Sequence, residues 1–150
     1  MGFHLFAKKI RSDKYCFVRD IVEISTHIAE ITSIEVLKLM VQPIIDKYDL
    51  KDTFEDLSEN SHYIIEDCYP SDVNLRLARA KDLLLIPTNV SLSDVDTQSL
   101  QLYIMKYVCK MGFSSSQIRQ LIKECIYTDT NIGEDVREIL IDQCYSIYCH

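Results

Sequence analysis

The segment Leu100–Tyr148 reads LQLYIMKYVCKMGFSSSQIRQLIKECIYTDTNIGEDVREILIDQCYSIY and indicates the fold class more clearly than any other part of the chain. It holds three apolar runs with helical spacing, separated by two polar breaks. Each break carries one of only three glycines in the chain. The segment therefore predicts three helices joined by two short loops.

The two breaks have the residues that end one helix and begin the next. The first reads Met111-Gly112-Phe113-Ser114, and the second is the polar segment 128–133, TDTNIG. Glycine reaches positive φ at low cost and ends helices, and a serine can cap the following helix by accepting a backbone N–H. The acidic pair after the second break suits the positive end of a helix dipole.

This segment resembles a ubiquitin-associated (UBA) domain of the kind found in inhibitor-of-apoptosis proteins. The resemblance rests on the first loop, on Ile118, Ile122 and Ile126 along the second helix, on Asn131 in a long connection, and on an aliphatic pair in the third helix. In that family, the loop and the end of the third helix form one apolar patch that receives ubiquitin. The resemblance implies a binding site at Met111, Gly112, Phe113, Ser114, Leu140 and Ile141. The alternative is that Met111 and Phe113 simply close the core.

The N-terminal part of the chain is also helical in pattern. An apolar stripe with helical spacing runs along Phe17, Ile21, Ile24, Ile28 and Ile31, and the opposite face, which includes Arg19 and Asp20, is polar. We expect Pro43, which lies inside the next apolar pattern, to kink that helix or to begin a new one.

A further helical pattern begins after Pro70 and stops at Pro87, and it is the strongest core-helix pattern in the chain, nearly apolar all round at its end. The segment 88–97, TNVSLSDVDT, is the best linker candidate. We therefore expect an all-α, compact bundle of about six to eight helices. It would divide into an N-terminal helical region 1–92 and a C-terminal three-helix unit 93–150, or form one continuous domain 1–150.

The whole chain also looks like the poxvirus versions of the Bcl apoptosis-regulator fold. The likeness lies in length, acidity and a composition rich in Ile, Asp and Tyr, with Leu100 to Cys109 as the apolar central helix. It implies a decoy that occupies a host apoptosis or immune-signalling protein through a groove or an outer face. A third alternative is a homodimer that buries an exposed apolar stripe by self-association.

Charge and hydropathy exclude several classes of partner. The formal net charge is −7, and the one basic cluster, Lys8–Lys14, is short, so we expect no nucleic-acid partner. No apolar run approaches the roughly 18 to 20 residues of a membrane span. The N-terminus carries its positive charge after a short apolar stretch, the reverse of a secretory signal, so we expect a cytoplasmic protein.

The sequence has few residues arranged in a pattern typical of catalysis or metal binding. The six cysteines are Cys16, Cys68, Cys109, Cys125, Cys144 and Cys149. They are widely spread, and we expect most of them to be reduced core residues. The cluster Cys144, Cys149 and His150 fits no common zinc spacing, and a His62–Cys68 dyad lacks helix-face spacing.

The sequence therefore predicts a protein that is not an enzyme and that has no metal and no cofactor. We expect a protein-interaction module, a ubiquitin-binding adaptor in cell-death or innate-immune signalling, with the decoy bundle as the alternative. The expected partner is accordingly ubiquitin or a signalling protein.

Overall fold

The computed structural model describes residues 9–10, 12–60, 64–66 and 69–149. Within these residues it contains α1 (Asp13–Ala29), α2 (Ile34–Lys47), α3 (Lys51–Glu59), α4 (Val73–Leu84), α5 (Asp94–Val108), α6 (Ser115–Cys125) and α7 (Glu134–Tyr148). Two short 3₁₀ turns follow α4 and α5, at Ile86–Asn89 and Cys109–Met111. The strands β1 (Lys9–Ile10) and β2 (Ile64–Ile65) form one small parallel pair. The predicted all-α fold of six to eight helices is confirmed.

The chain divides into two compact units, one ending at Arg76 and the other beginning at Leu77. The division lies inside α4, upstream of the segment 88–97 that the sequence suggested as a linker. The C-terminal unit therefore contains the end of α4 as well as the three helices of the predicted UBA-like unit. None of the described helices is long and apolar enough to cross a membrane.

The N-terminal unit is built on α1, which packs against α2 and α3. The stripe from Phe17 to Ile28 is buried as predicted, and the Phe17 ring meets that of Tyr48 edge-on with centroids 5.0 Å apart. Ile31 was wrongly placed in this stripe, because α1 ends before it and the residue is 62% exposed. Helix α2 continues through Pro43, so no new helix begins there.

The polar face predicted for α1 contains a buried charge. Asp20 is only 1% exposed, so its placement on a solvated face was wrong. Its Oδ1 accepts hydrogen bonds from Nε and Nη2 of Arg19 at 3.3 and 3.1 Å, and its Oδ2 accepts one from the Tyr69 hydroxyl at 3.4 Å. Burial, and then the Asp20 carboxylate, raise the pKa of Tyr69, so the phenol stays protonated and can donate. A buried carboxylate persists because it is paired in this way.

One buried side-chain amide links three helices of the C-terminal unit. Gln101 of α5 is 2% exposed, and its Nε2 donates to the backbone oxygens of Leu84, at 3.0 Å, and Cys125, at 2.7 Å. These carbonyls belong to the last residues of α4 and α6, where helical carbonyls lack intrahelical partners. One side chain of α5 therefore satisfies the ends of two other helices.

Helices α6 and α7 pack antiparallel, with charged contacts along their length. Arg119 pairs with Asp142 at 3.2 Å near the start of α6, and Lys123 pairs with Glu134 at 3.3 Å near its end. Arg137 Nε donates to the Tyr127 backbone oxygen at 2.6 Å. The end of α6 is therefore held by α5 on one side and by α7 on the other.

The loop between α5 and α6 has the predicted chemistry. Gly112 ends the 3₁₀ turn with φ of 78°, in the left-handed region that favours glycine. Ser114 then forms a capping box with Gln117: its Oγ accepts from the Gln117 amide at 3.3 Å, and its own amide donates to Gln117 Oε1 at 2.9 Å. The sequence prediction of a glycine stop and a serine cap is confirmed.

A disulfide joins Cys109, just after α5, to Cys149, just after α7, with their Cα atoms 5.6 Å apart. The expectation that most cysteines are reduced core residues does not hold for this pair, because neither is fully buried and the fold brings them together. Cys16, Cys125 and Cys144 are free and buried as expected. Cys68 lies outside the described residues.

We predict that Gln101→Leu lowers the free energy of unfolding by about 2–4 kcal/mol, because two buried carbonyls lose their donor. Denaturation followed by circular dichroism measures this. The control is Gln120→Leu, which removes an exposed side chain and should change stability by less than about 0.5 kcal/mol. Equal stability of the two variants would contradict the role given to Gln101.

We predict that Cys149→Ser lowers the free energy of unfolding by about 2–4 kcal/mol in non-reducing buffer, because the disulfide closes a 40-residue loop. In reducing buffer the variant and the unsubstituted chain should unfold at the same denaturant concentration. A chain whose stability does not respond to reductant would show that this disulfide contributes nothing.

Candidate functional site

The predicted loop residues divide between core and surface. Met111 is 3% exposed and belongs to the core. Phe113 is half-buried, while Gly112 and Ser114 are exposed. A Cβ added at Gly112 would meet nothing within 4 Å, so the backbone of the loop is open to close approach from outside.

The predicted pair on α7 also divides. Ile141 is 1% exposed and faces the core, whereas Leu140 is half-buried. The antiparallel packing and the disulfide bring the loop to the end of α7. Leu140 lies nine residues before Cys149, which corresponds to about 13 Å along a helix. The structure therefore places the loop at one end of α7 and Leu140 near its middle.

The structure adds an apolar surface that sequence reasoning missed. Val136 is 53% exposed, Ile139 56% and Ile147 66%, and with half-buried Leu140 they form what we name the α7 stripe. At 100° per residue these four positions, with Gln143 among them, fall within an arc of about 100°. The sequence does contain these apolar residues at the spacing i, i+3, i+4 and i+11. They could not be distinguished from the apolar residues on the buried side of the same helix.

Acidic residues run beside the α7 stripe. Asp135, Glu138 and Asp142, which we name the acidic row, are exposed on the next part of the α7 surface. Asp142 pairs with Arg119, and Glu138 lies 3.8 Å from Lys123. Ion pairs this exposed leave most of the field of the carboxylates facing solvent. The stripe is therefore an apolar surface with a negative border.

A cavity lies at another place in the C-terminal unit, and we name it the α5 cavity. It has a volume of about 500 Å³ and is bordered by the 3₁₀ turn after α4, the first turns of α5 and the loop after α6. Gln101 lies in its wall together with Asp94 and Asp129. Sequence reasoning found no sign of it, because its residues come from three separate segments.

Two free thiols of the C-terminal unit, those of Cys125 and Cys144, have raised pKa values. Burial raises the pKa of the Cys125 and Cys144 thiols to about 11, so both are protonated at neutral pH and are poor nucleophiles. Nowhere in the described part of the chain do three His, Cys, Asp or Glu residues group to hold a metal ion. His62 and His150, considered for a dyad and a zinc cluster, lie outside the described residues.

Comparisons with protein-family models, with curated proteins and with solved structures give no match. The candidate site is therefore assigned from its own geometry. It consists of the open loop Gly112–Ser114, the α7 stripe and the acidic row.

Proposed function

We propose that the chain is a non-enzymatic protein-interaction module that binds ubiquitin through the α7 stripe and the loop Gly112–Ser114. The observation that carries this proposal is the exposure of three aliphatic side chains on one side of α7. Clustered exposed apolar residues on a folded protein mark interaction sites more often than scattered ones do. The function would be that of an adaptor in cell-death or innate-immune signalling.

The surroundings of the stripe favour a particular kind of partner surface. The acidic row borders the stripe along one side, so a partner with an apolar centre and a basic rim would be complementary to it. The chain as a whole is acidic, with a formal net charge of −7, which adds to the same preference.

Ubiquitin enters as the partner through the resemblance of the loop and the α7 pair to the UBA pattern. The open backbone at Gly112 supports this, because a partner can approach it closely. The burial of Met111 and Ile141 limits their role to holding the core. We therefore assign direct contact to Phe113, Ile139 and Leu140.

We predict that labelled full-length protein titrated with unlabelled ubiquitin shows NMR shifts at residues 112–114 and along α7. Ile139→Ser should weaken binding about tenfold or more, because a polar group replaces an exposed apolar contact of the stripe. Phe113→Ala should weaken it as well. Leu39→Ser is the control, because Leu39 is a similarly exposed aliphatic residue, 63% exposed, on α2.

A flat titration with a well-dispersed spectrum would overturn the assignment of ubiquitin. The decoy bundle would then be the remaining hypothesis, and its partner would have to be identified by pull-down. If Leu39→Ser and Ile139→Ser weakened binding equally, the α7 stripe would not be the docking surface.

A further inference from the structure

The α5 cavity has the size and wall chemistry of a small-ligand site. Its volume of about 500 Å³ lies within the range of pockets that hold small molecules. It is formed entirely within the C-terminal unit, by residues of segments that Gln101 holds together. None of its lining residues belongs to the α7 stripe, to the acidic row or to the loop Gly112–Ser114.

Gln101 lines this cavity and carries an acceptor that no described residue uses. Gln101 Nε2 donates to two carbonyl oxygens, which fixes the orientation of the amide, because a flipped amide would place its oxygen against both. Within the part of the chain that the structure describes, Gln101 Oε1 accepts no hydrogen bond, although the residue is only 2% exposed. Gln101 is one of the residues that line the cavity. A ligand donor would satisfy Oε1.

The charge at the cavity is negative. Asp94 and Asp129 line it, and neither forms an ion pair with any residue in the described ranges. No lysine, arginine or histidine is among its described lining residues. The N-terminus of α5 contributes a partial charge of about +0.5, and the C-terminus of α6 offsets it with about −0.5. The two carboxylates therefore make the electrostatic potential in the cavity negative.

The remaining wall supplies both hydroxyls and an apolar side. Thr97 and Thr128 line the cavity, and so do Val90, Ile126 and Ile132. Hydroxyl and carboxylate oxygens can accept from a cationic head, while aliphatic side chains can cover a hydrocarbon stem. Among the described lining residues there are two carboxylates, and no three His, Cys, Asp or Glu residues group there to hold a metal ion.

We propose that the α5 cavity binds an alkylammonium or alkylguanidinium group, with its charged head between Asp94, Asp129 and Gln101 Oε1. The source of that group is either a free organic cation or a lysine or arginine side chain of a partner protein. Both present the same head and the same aliphatic stem. The Gln101 side chain favours a ligand that donates a hydrogen bond, because its own N–H donors are already used and only its oxygen can bind.

The test is an NMR titration of the full chain with n-butylguanidinium, with pentan-1-ol as a neutral probe of similar length. We expect saturable shifts at the backbone amides of Thr97 and Thr128 and at the Gln101 side-chain amide, with millimolar affinity. Pentan-1-ol should shift these signals weakly and without saturation. Equal binding of the two probes would overturn the proposal, because it would show a cavity that recognises only the apolar stem.

A matched pair of double variants separates site chemistry from overall charge. Asp94→Asn with Asp129→Asn should weaken n-butylguanidinium binding about tenfold. Asparagine at 129 keeps an oxygen for the bond from the Asn131 amide, which is 2.8 Å long in the structure. The control, Glu30→Gln with Glu35→Gln, removes the same charge from exposed residues elsewhere and should leave the affinity unchanged. Equal weakening in both pairs would overturn the proposal.

The source of the cation is distinguished by a third arm. A capped peptide with one central arginine is compared with the same peptide carrying citrulline, which keeps the shape and loses the charge. If the arginine peptide binds more tightly than n-butylguanidinium, the source is a partner protein; if it binds only more weakly, the source is a free small molecule. If the citrulline peptide binds as well as the arginine peptide, cation recognition is contradicted.

Discussion

The side-chain amide of Gln101 is the interaction on which the C-terminal unit depends. Short helices leave carbonyl groups unsatisfied at their ends, and when those ends are buried each group needs a donor. Gln101 supplies donors to α4 and α6 at once, from the buried side of α5. Helix α7 then packs against α6 and α5.

The two proposed binding surfaces follow from that arrangement. The amide that closes the helix ends uses its nitrogen for the fold and leaves its oxygen without a described donor, and the residue lines the α5 cavity. The helix that completes the unit buries Ile141 and Cys144 and leaves Ile139 and Ile147 outside. Both proposed binding surfaces therefore consist of groups that the packing of the core does not use. Both surfaces also have carboxylates beside them.

The helices and the loop between α5 and α6 were predictable from local patterns, whereas the contacts between residues far apart in sequence were not. The residue types of Gly112 and Ser114 are enough to indicate a helix end and a helix cap, so the loop could be predicted. A glutamine within a helical pattern looks like a surface residue, and the partners of Gln101 lie 17 and 24 residues away in sequence. The same holds for Asp20 and for the disulfide between Cys109 and Cys149. Helix α7 is apolar over so wide an arc that its pattern cannot tell the buried side from the exposed one.

The proposed function requires that α7 completes the core with one side and presents the other to a partner. The most direct measurement is the solvent paramagnetic relaxation enhancement of methyl groups in the full chain, with a soluble gadolinium probe. We expect strong enhancement at Val136, Ile139 and Ile147 and little at Ile118 and Ile141. Strong protection of Ile139 and Ile147, equal to that of Ile141, would contradict this role for α7, because the α7 stripe would then be covered in the free protein.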